Sequence, residues 1–417
     1  MISFLLTEEA KEEARRLDFL LKENQSVSFP PDREKYPLSL LREGAMVGVM
    51  LLETKGGERK ILYGFSGAMS GNYDIPGWVN PCFSLSTFHS VFDPYDREIH
   101  DLTYRIEEEG RENLKEERRQ KSAEAQKKIN DIFLFSSWNG EKFRGLPPRP
   151  RTGTGECAGL KLMNTALRKG WEMKGLSEYR WSSTEGPREF FPPCQDRCEE
   201  LMEKMLGLKY LYLDKDIAVV DKRSGMLSVP GRGEEKKDSV SYRFHTLFPS
   251  SPEVCHVHRL DMDTSGLMVL AFNKESAKNL MMQFEERKVQ KTYVALLEGV
   301  IEEERGDIDL PMRLDIEHRP RQIVDYKDGK KALTHWERIR VTTTEKERFT
   351  YVRFFPHTGR THQLRVHAAM GLGHPIVSDN LYGREREGVR LMLHAESITF
   401  THPGSGERVT FTSPCPF

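Results

Sequence analysis

The sequence predicts an α+β protein built from more than one domain. Segments of alternating apolar and polar residues, typical of half-buried strands, recur along the chain, and residues 210–231 are an example. Other segments place apolar residues at helical spacing among charged ones, as residues 1–25 do. The length of 417 residues is that of two or three domains of ordinary size. Because the two patterns are interspersed, helices and strands are expected in the same folding units.

The overall composition is that of a soluble chain with balanced charge. Hydrophobic residues make up 37% of the sequence and charged residues 30%, and no apolar segment is long enough to span a bilayer. The N-terminus lacks the basic start, long apolar centre and cleavage site of a secretory signal, so we expect a cytoplasmic protein. The net charge of −1 does not by itself predict a nucleic-acid partner, but it leaves room for a local basic cleft.

Residues 1–93 are predicted to form an N-terminal helix and a small β element. The helical pattern covers residues 1–25, and a proline-rich loop follows it. Residues 48–67 then have the pattern of a hairpin, with Gly56 and Gly57 at its turn. We therefore expect a short antiparallel pair of strands in this part of the chain.

Residues 94–146 are predicted to form a charged helical arm. The helix is expected to begin at Asp93-Pro94 and to continue to residue 133, with only a thin apolar stripe. Acid-first pairs four residues apart, such as Glu107–Arg111, favour a helix. A solvated surface is the simpler interpretation of so much charge, and an arm that contacts a nucleic acid or a second subunit is the alternative.

Residues 147–206 are predicted to form an α-helical segment that carries three of the six cysteines. Cys157, together with the pair Cys194 and Cys198, loosely resembles the zinc signature of the nucleoside and nucleobase deaminases. The pair is spaced one residue too widely, however, and Gly159 occupies the position of the required glutamate. We therefore expect ordinary reduced thiols, with a zinc site at these cysteines as the alternative.

Residues 207–417 are predicted to form a second domain organised around the segment HVHRLDMDTSGL (256–267). Val254 and Val257 belong to an apolar alternation, so a strand is expected before Asp261 and another after the Thr-Ser-Gly turn. A carboxylate at the end of a buried strand is costly to hold as an ion unless it is paired or functional. From the spacing alone, Asp261 could equally cap the turn or act in a site.

Four motifs in the second domain come in a recognisable order and spacing. They are HRLDMDTSGL, KTYVALLEG, HTGRTHQLRVHAAMGLGHPIVSDNLYG and RLMLHA. Together they resemble the RluA-type family of RNA pseudouridine synthases, over about residues 207–417. The resemblance implies a pseudouridine synthase-like catalytic domain with a mixed, largely antiparallel sheet, flanking helices and an active-site cleft across the sheet. Residues 1–206 look like the N-terminal extension carried by a subset of these enzymes.

The resemblance also implies three catalytic residues. Asp261 of HRLD matches the family's catalytic aspartate, Tyr293 of KTY matches its active-site tyrosine, and Arg365 of HQLR matches the arginine that pairs with the aspartate. Burial raises the pKa of a carboxyl group, and a guanidinium that never deprotonates counters that shift. The tyrosine ring can stack on the uracil, and its hydroxyl can serve as a proton relay or base. The isomerisation involves no redox change, so neither a cofactor nor a metal is expected.

The same resemblance implies residues that contact RNA. Arg259 matches the residue that fills the space left by the flipped nucleotide, and Leu391 or Leu393 of RLMLHA would pack against the base. On the expected strand, Arg259 and the catalytic aspartate two residues later would project from the same face. The basic cluster around Arg319 and Arg321 is either a loop that contacts phosphates or a solvated one.

The implied partner is a structured RNA, either ribosomal RNA, of the large subunit first of all, or transfer RNA. No membrane partner is expected. His362 and His367, which flank the HQLR arginine, are expected to be structural or RNA-facing, because no carboxylate or cysteine joins them as a metal ligand. The alternative function is an RNA-binding or RNA-folding factor whose modification activity is secondary. The sequence does not determine the oligomeric state, and a monomer is the simplest expectation.

Overall fold

The computed structural model describes residues 6–147, 150–151, 153–192, 197–253, 255–345 and 347–417. The chain divides into two compact units, Met1–Gly207 and Leu208–Phe417. No helix in the described ranges is long and apolar enough to cross a membrane.

The first unit contains five helices and five strands among its described residues. In chain order they are α1 (Glu8–Asn24), β1 (Met46–Glu53), β2 (Arg59–Phe65), α2 (Leu85–Glu107), α3 (Lys115–Ile132), β3 (Leu134–Ser136), β4 (Lys142–Arg144), α4 (Ala158–Lys169), β5 (Glu172–Arg180) and α5 (Glu199–Leu206). Strands β2, β1 and β5 form an antiparallel sheet in that order, while β3 and β4 form a separate hairpin.

The three-stranded sheet of the first unit is covered on both faces. Leu17 and Leu21 of α1 pack with Val47 and Val49 of β1 in one buried cluster. Leu162 of α4 lies against the two glycines of the opposite face, Gly48 and Gly64, where a larger side chain would displace it. Apolar residues on both faces of β1 explain why six of its eight positions are buried.

The segment 147–206 is not purely α-helical as predicted, because it supplies β5 to this sheet. Helix α4 does end before Gly170, which takes a left-handed conformation as its C-cap. The strand that follows pairs with β1 over its full length, from Met46 opposite Arg180 to Glu53 opposite Glu172. Its sequence, EMKGLSEYR, alternates too weakly to indicate a strand, because Ser177 and Glu178 are polar but buried.

The prediction of one long charged helix beginning at Asp93-Pro94 is wrong. Helix α2 begins eight residues earlier, at Leu85, and contains Pro94. The chain then turns at Gly110, which has a φ of +68°, and α3 runs back along α2. The Tyr95 hydroxyl donates to Glu124 Oε1 at 2.6 Å, which ties the middle of α2 to the middle of α3. The charged residues therefore join the two helices of a hairpin rather than covering a single projecting arm.

The second unit is built on a nine-stranded sheet. In chain order its elements are β6 (Lys209–Leu213), β7 (Ile217–Lys222), α6 (Val240–Leu247), β8 (Ser265–Ala271), α7 (Lys274–Glu285), β9 (Gln290–Glu298), β10 (Arg305–Asp309), β11 (Met312–Leu314), β12 (Gln322–Val324), β13 (Leu333–Thr343), β14 (Arg348–Pro356), α8 (Gln363–Val366), β15 (Leu393–Thr401) and β16 (Arg408–Thr412). A π-helical turn, His367–Gly371, follows α8, and β11 pairs with β12 in a separate hairpin.

The predicted mixed, largely antiparallel sheet is confirmed. The strand order is β10-β13-β14-β9-β15-β8-β7-β6, and β16 pairs with β15 as an additional strand. Every neighbouring pair is antiparallel except β15 and β8, which run parallel where His394 faces Ser265. Helix α7 packs on β8 and buries Leu280 with Val219, Val269 and Phe400.

The strand predicted before Asp261 is not formed. Within the described residues of this stretch, only His256 makes an isolated bridge, to Leu270, and Val254 lies outside the described residues. Side chains fix the segment instead: Ser228 Oγ accepts the N–H of Leu260 and donates to its carbonyl oxygen. The apolar alternation thus reflects burial of an irregular segment, which leads directly into β8.

Candidate active site

The residues expected to be catalytic meet in one cleft of the second unit, with a volume of about 540 Å³. Its walls are the segment 257–264 before β8, the end of α7, strand β9 and the segment 356–365 that leads into α8. The lining residues include Asp261, Tyr293, Arg365, Arg259 and Leu393. A volume of this size is in the range of pockets that enclose small ligands.

Asp261 presents its carboxylate to this cleft and is not a side-chain cap of the turn. Its backbone carbonyl accepts the N–H of Thr264 at 3.2 Å, so the backbone alone closes the turn. The side chain is 21% exposed. Arg365 Nη1 lies 3.9 Å from Oδ2 and His362 Nε2 lies 4.0 Å from Oδ1, which leaves the carboxylate between two nitrogen-bearing groups. A carboxylate held in this way is available to a substrate.

Arg365 forms an ion pair with Asp261, as the sequence implied, but its shorter contacts are hydrogen bonds to a second carboxylate, Asp379. Its Nε donates to Asp379 Oδ2 at 2.8 Å and its Nη2 to Oδ1 at 2.6 Å. Asp379 is fully buried and also accepts the N–H groups of Leu381 and Tyr382. Burial opposes the charge of Arg365, but the hydrogen bonds to Asp379 raise its pKa above the usual arginine value. The guanidinium is therefore permanently charged, with only Nη1 directed to Asp261.

Tyr293 lies on β9, and its phenol reaches the same cleft. Burial raises the pKa of the hydroxyl well above the usual tyrosine value, and the nearby Asp261 carboxylate raises it further. The phenol is therefore neutral near pH 7. This favours support of a base by the ring, and proton transfer through the neutral hydroxyl, over action as a phenolate base.

The cleft is basic although the chain as a whole is not. Burial lowers the pKa of Lys291, which precedes Tyr293 by two residues on β9, to about 8. The lining contains more cationic than anionic side chains: Arg259, Arg287, Lys291, Arg360 and Arg365 against Asp261 and Glu285. A polyanion would meet a favourable local potential here that the net charge of −1 conceals.

The remaining predicted RNA contacts are divided between this cleft and the surface. Leu393 lines the cleft, whereas Leu391 is 4% exposed and packs in the core beneath it. Arg319 and Arg321 are exposed in the turn between β11 and β12 and do not line the cleft. Arg321 donates to the carbonyl of Leu381. The assignment of these two arginines to RNA stays a prediction.

The sequence motifs contain Asp379 and His362, but sequence reasoning did not assign them to the catalytic carboxylate. SDN, in the third motif, places Asp379 fourteen residues after Arg365, and that spacing does not indicate which carboxylate the guanidinium meets. His362 was expected only to be structural or RNA-facing. Its partners follow from the left-handed turn, with a φ of +55°, that precedes α8. Backbone conformations of this kind are not encoded in residue spacing.

The cysteines of the first unit do not form a described three-ligand group. The Sγ atoms of Cys157 and Cys198 are 3.6 Å apart, and Cys194 lies outside the described residues. Within the described ranges one group of three potential ligands occurs elsewhere, at Asp214, Asp216 and His402. His402 Nδ1 accepts two backbone N–H groups, so its proton resides on Nε2, 2.8 Å from Asp214 Oδ2.

Comparisons with known proteins agree with the class that this fold and site define, the pseudouridine synthases. The model of the RNA pseudouridylate synthase family matches residues 216–370. The chain is 43% identical over 210 residues to the dual-specificity RNA pseudouridine synthase RluA of Yersinia pestis, covering 50% of this chain and 98% of that protein. It is 45% identical over 213 residues to RluA of Escherichia coli K12, covering 94% of that protein.

Among solved structures, human RNA pseudouridylate synthase domain containing 1 is 33% identical and covers 50% of this chain and 84% of that chain, with a TM-score of 0.43. The chain belongs to the RluA-type family of RNA pseudouridine synthases. The alignments with the RluA proteins leave about half of the chain unmatched.

Proposed function

We propose that this protein isomerises specific uridines to pseudouridine in ribosomal RNA and transfer RNA, with Asp261 as the catalytic carboxylate. The observation that carries the proposal is the placement of Asp261 in a basic cleft, between Arg365 and His362 and beside Tyr293. The RluA proteins that the second unit resembles are named dual-specificity RNA pseudouridine synthases, which supports two classes of RNA as targets.

The reaction needs only the side chains of the cleft. The N1–C1′ bond of uridine breaks, the uracil turns, and a C5–C1′ bond forms; C5 loses a proton and N1 gains one. The product is an isomer, so no oxidant, reductant or co-substrate enters the balance. A carboxylate can assist glycosidic cleavage as a nucleophile or a base. Asp261 can do either as an ion, and the protonated Tyr293 can support the uracil as it turns.

The target nucleotide must leave its stack to reach Asp261, because the cleft encloses the carboxylate. Arg259 lines the same cleft two residues before Asp261 and carries a planar guanidinium suited to stacking and to phosphate contacts. The two side chains come from an irregular segment rather than a strand, so their shared direction is set by that segment's hydrogen bonds to Ser228. We assign Arg259 to filling the gap left by the flipped nucleotide, and Leu393 to packing against the base.

The proposal is tested by replacing Asp261 with the neutral isostere Asn. Asp261→Asn should abolish tritium release from RNA labelled with [5-³H]uridine, because the amide can be neither the nucleophile nor the base, while RNA affinity stays near that of the wild type. Asp263→Asn is a matched control, since Asp263 lies in the same loop but does not line the cleft. Turnover by Asp261→Asn would contradict the assignment.

The comparisons do not favour the alternative of an RNA-binding or RNA-folding factor. That alternative requires the Asp261→Asn protein to retain the biological role of the wild type. Full restoration of growth by the Asp261→Asn allele in a deletion strain, with pseudouridine absent, would support it.

The choice of RNA is assigned to the first unit as part of this proposal. Its sheet and helical hairpin lie in the half of the chain that the RluA proteins leave unmatched. Action in the cytoplasm on ribosomal or transfer RNA, by a monomer, completes the proposal. Mapping pseudouridines in total RNA with and without the gene would identify the target uridines.

A further inference from the structure

His362 occupies the second flank of the catalytic carboxylate, opposite Arg365. Its side chain is 9% exposed and lines the cleft, and its backbone is left-handed with a φ of +55°. Only a few per cent of residues other than glycine adopt that conformation, histidine more often than most, and it persists where surrounding contacts hold it. Here Nδ1 lies 2.8 Å from the hydroxyl of Tyr382, while Nε2 lies 4.0 Å from Asp261 Oδ1.

The hydrogen bonds around Tyr382 determine which nitrogen of His362 carries the proton. The Tyr382 hydroxyl accepts the backbone N–H of Gln322 at 2.7 Å, and His362 Nδ1 is its one other polar partner in the described part of the chain. With Gln322 donating to the phenolic oxygen, the single phenolic proton is free to be donated to Nδ1. A neutral imidazole that accepts at Nδ1 bears its own proton on Nε2, the nitrogen that faces Asp261.

Titratable groups on several elements surround His362. Burial lowers the pKa of His362, and the nearby positive charges of Arg365 and Arg259 lower it further. The carboxylates of Asp261 and Asp379 act in the opposite direction and raise it. Burial likewise raises the pKa of the Tyr382 hydroxyl. At neutral pH the imidazole is thus uncharged and has a single N–H, which a phenolic proton donated to Nδ1 would place on Nε2, facing the carboxylate.

Asp261 needs the N–H of His362 as a donor because Asp379 already neutralises the charge of Arg365. Asp379 engages Arg365 through two hydrogen bonds of 2.6 and 2.8 Å, compared with 3.9 Å between Arg365 Nη1 and Asp261. A hydrogen bond to a charged acceptor is considerably stronger than one between neutral groups, and donation to the ionised form keeps a carboxylate ionised. When a nucleotide fills the cleft, shortening of the 4.0 Å distance between His362 Nε2 and Asp261 Oδ1 would supply this hydrogen bond.

We propose that Tyr382 and His362 are positioning residues that act in sequence. The Tyr382 hydroxyl fixes the imidazole tautomer, and the resulting Nε2–H holds the Asp261 carboxylate oriented for attack. The proposal rests on the proposed function, since it presupposes Asp261 as the catalytic group. It extends the catalytic apparatus to the start of β12, whose first backbone N–H, that of Gln322, holds Tyr382.

Tyr382→Phe removes a single oxygen and keeps the ring that lies 5.4 Å from the Arg365 guanidinium. We expect kcat to fall by roughly ten- to a hundredfold at pH 7.5, because Asp261 loses the N–H donor of His362. KM for RNA should change little, because the lost hydrogen bond is to Asp261 and not to the RNA. The deficit should shrink as the pH is lowered through the pKa of His362, which burial places below the usual histidine value, because an imidazolium carries a proton on both nitrogens without help from Tyr382. Tyr351→Phe, on β14 outside the cleft, is the matched control.

A second pair of variants separates the donor from packing. His362→Gln places an amide N–H near the position of Nε2 and should retain substantial kcat, whereas His362→Leu fills similar space without a donor and should not. Unfolding curves for all four variants establish that each is folded before kinetics are compared.

Two results would overturn the relay while the wild type remains active: unchanged kcat in Tyr382→Phe, or a deficit that stays the same as the pH is lowered through the pKa of His362 measured by NMR. Equal activity of the Gln and Leu variants would also overturn it. If the folded wild-type protein forms no pseudouridine, the proposed function is wrong, and the relay is wrong with it. If the wild type is active and only the variants behave as above, the relay alone is wrong.

Discussion

Asp379 is the residue on which the charge of the active site depends, although it lies behind the cleft. It is fully buried and gives both carboxylate oxygens to Arg365. A bidentate pair in a buried setting has both geometric specificity and strength. The pair holds the guanidinium so that its remaining nitrogen, Nη1, is directed to Asp261.

Removing one partner of this pair should be costly. Asp379→Ala leaves the Arg365 charge buried without its counter-ion, and we expect the free energy of unfolding to fall by about 3–5 kcal/mol. Urea denaturation of the full chain, followed through the transition of the second unit, measures the change. Asp263→Ala, in a less buried loop position, should cost under about 1 kcal/mol. A similarly small loss for Asp379→Ala would show that the pair is not the main stabiliser of Arg365.

At the residue scale, motifs predicted identities better than contacts. Asp261, Tyr293 and Arg365 were found from three motifs, and the structure brings all three to one cleft. The sequence could not show that Arg365 prefers Asp379, because both carboxylates lie at spacings compatible with pairing. Which of two acids meets a guanidinium depends on the fold of the intervening chain.

Among the elements, β8 matters most because Asp261 lies four residues before its first residue. Gly266, the second residue of β8, has a φ of +111°, and a Cβ there would lie 2.6 Å from the backbone nitrogen of Ala395 on β15. The parallel pairing of β8 and β15 therefore requires glycine at this position.

Gly266→Ala should destabilise the second unit by about 2–4 kcal/mol, from backbone strain together with the clash against β15. Gly406→Ala is a control at another positive φ, +74°, where open space surrounds the added Cβ, so about 1 kcal/mol is expected. Thermal and urea unfolding of the two variants give the comparison. Equal losses would mean that strain alone, and not the approach of β15, determines the need for glycine.

Periodicity identified elements well where one face is buried and poorly elsewhere. The hairpin at Gly56-Gly57 forms, and α4 ends before Gly170. Strand β5 was missed because its inward face carries Ser177, and the segment before Asp261 was mistaken for a strand because its apolar residues pack without a ladder. The predicted start of helix α2 is too late in the chain, because proline is typical of a first helical turn, whereas Pro94 lies in the helix interior.

For the whole molecule, the balance of charge is local rather than global. Lysine and arginine number 63 against 64 acidic residues, yet the cleft is lined by an excess of cations. RNA binding should therefore weaken steeply with salt, through release of counterions from the phosphates that the cations neutralise.

Arg319 tests how far this surface extends beyond the cleft, because it is exposed in the turn between β11 and β12. If it contacts a phosphate, Arg319→Ala should weaken RNA binding and reduce the slope of log K against log salt by about 1. Arg408→Ala, an exposed arginine on β16 of the second unit that does not line the cleft, is the control. An unchanged slope for Arg319→Ala would show that the loop is merely solvated.

Asp261 is the proposed catalyst of pseudouridine formation in RNA. The most direct measurement is transcriptome-wide pseudouridine mapping in a deletion strain that carries the wild-type, the Asp261→Asn or the Asp263→Asn allele. We expect a defined set of ribosomal or transfer RNA uridines to be modified with the wild-type and Asp263→Asn alleles and unmodified with Asp261→Asn. Modification at those same sites by the Asp261→Asn protein would contradict the account.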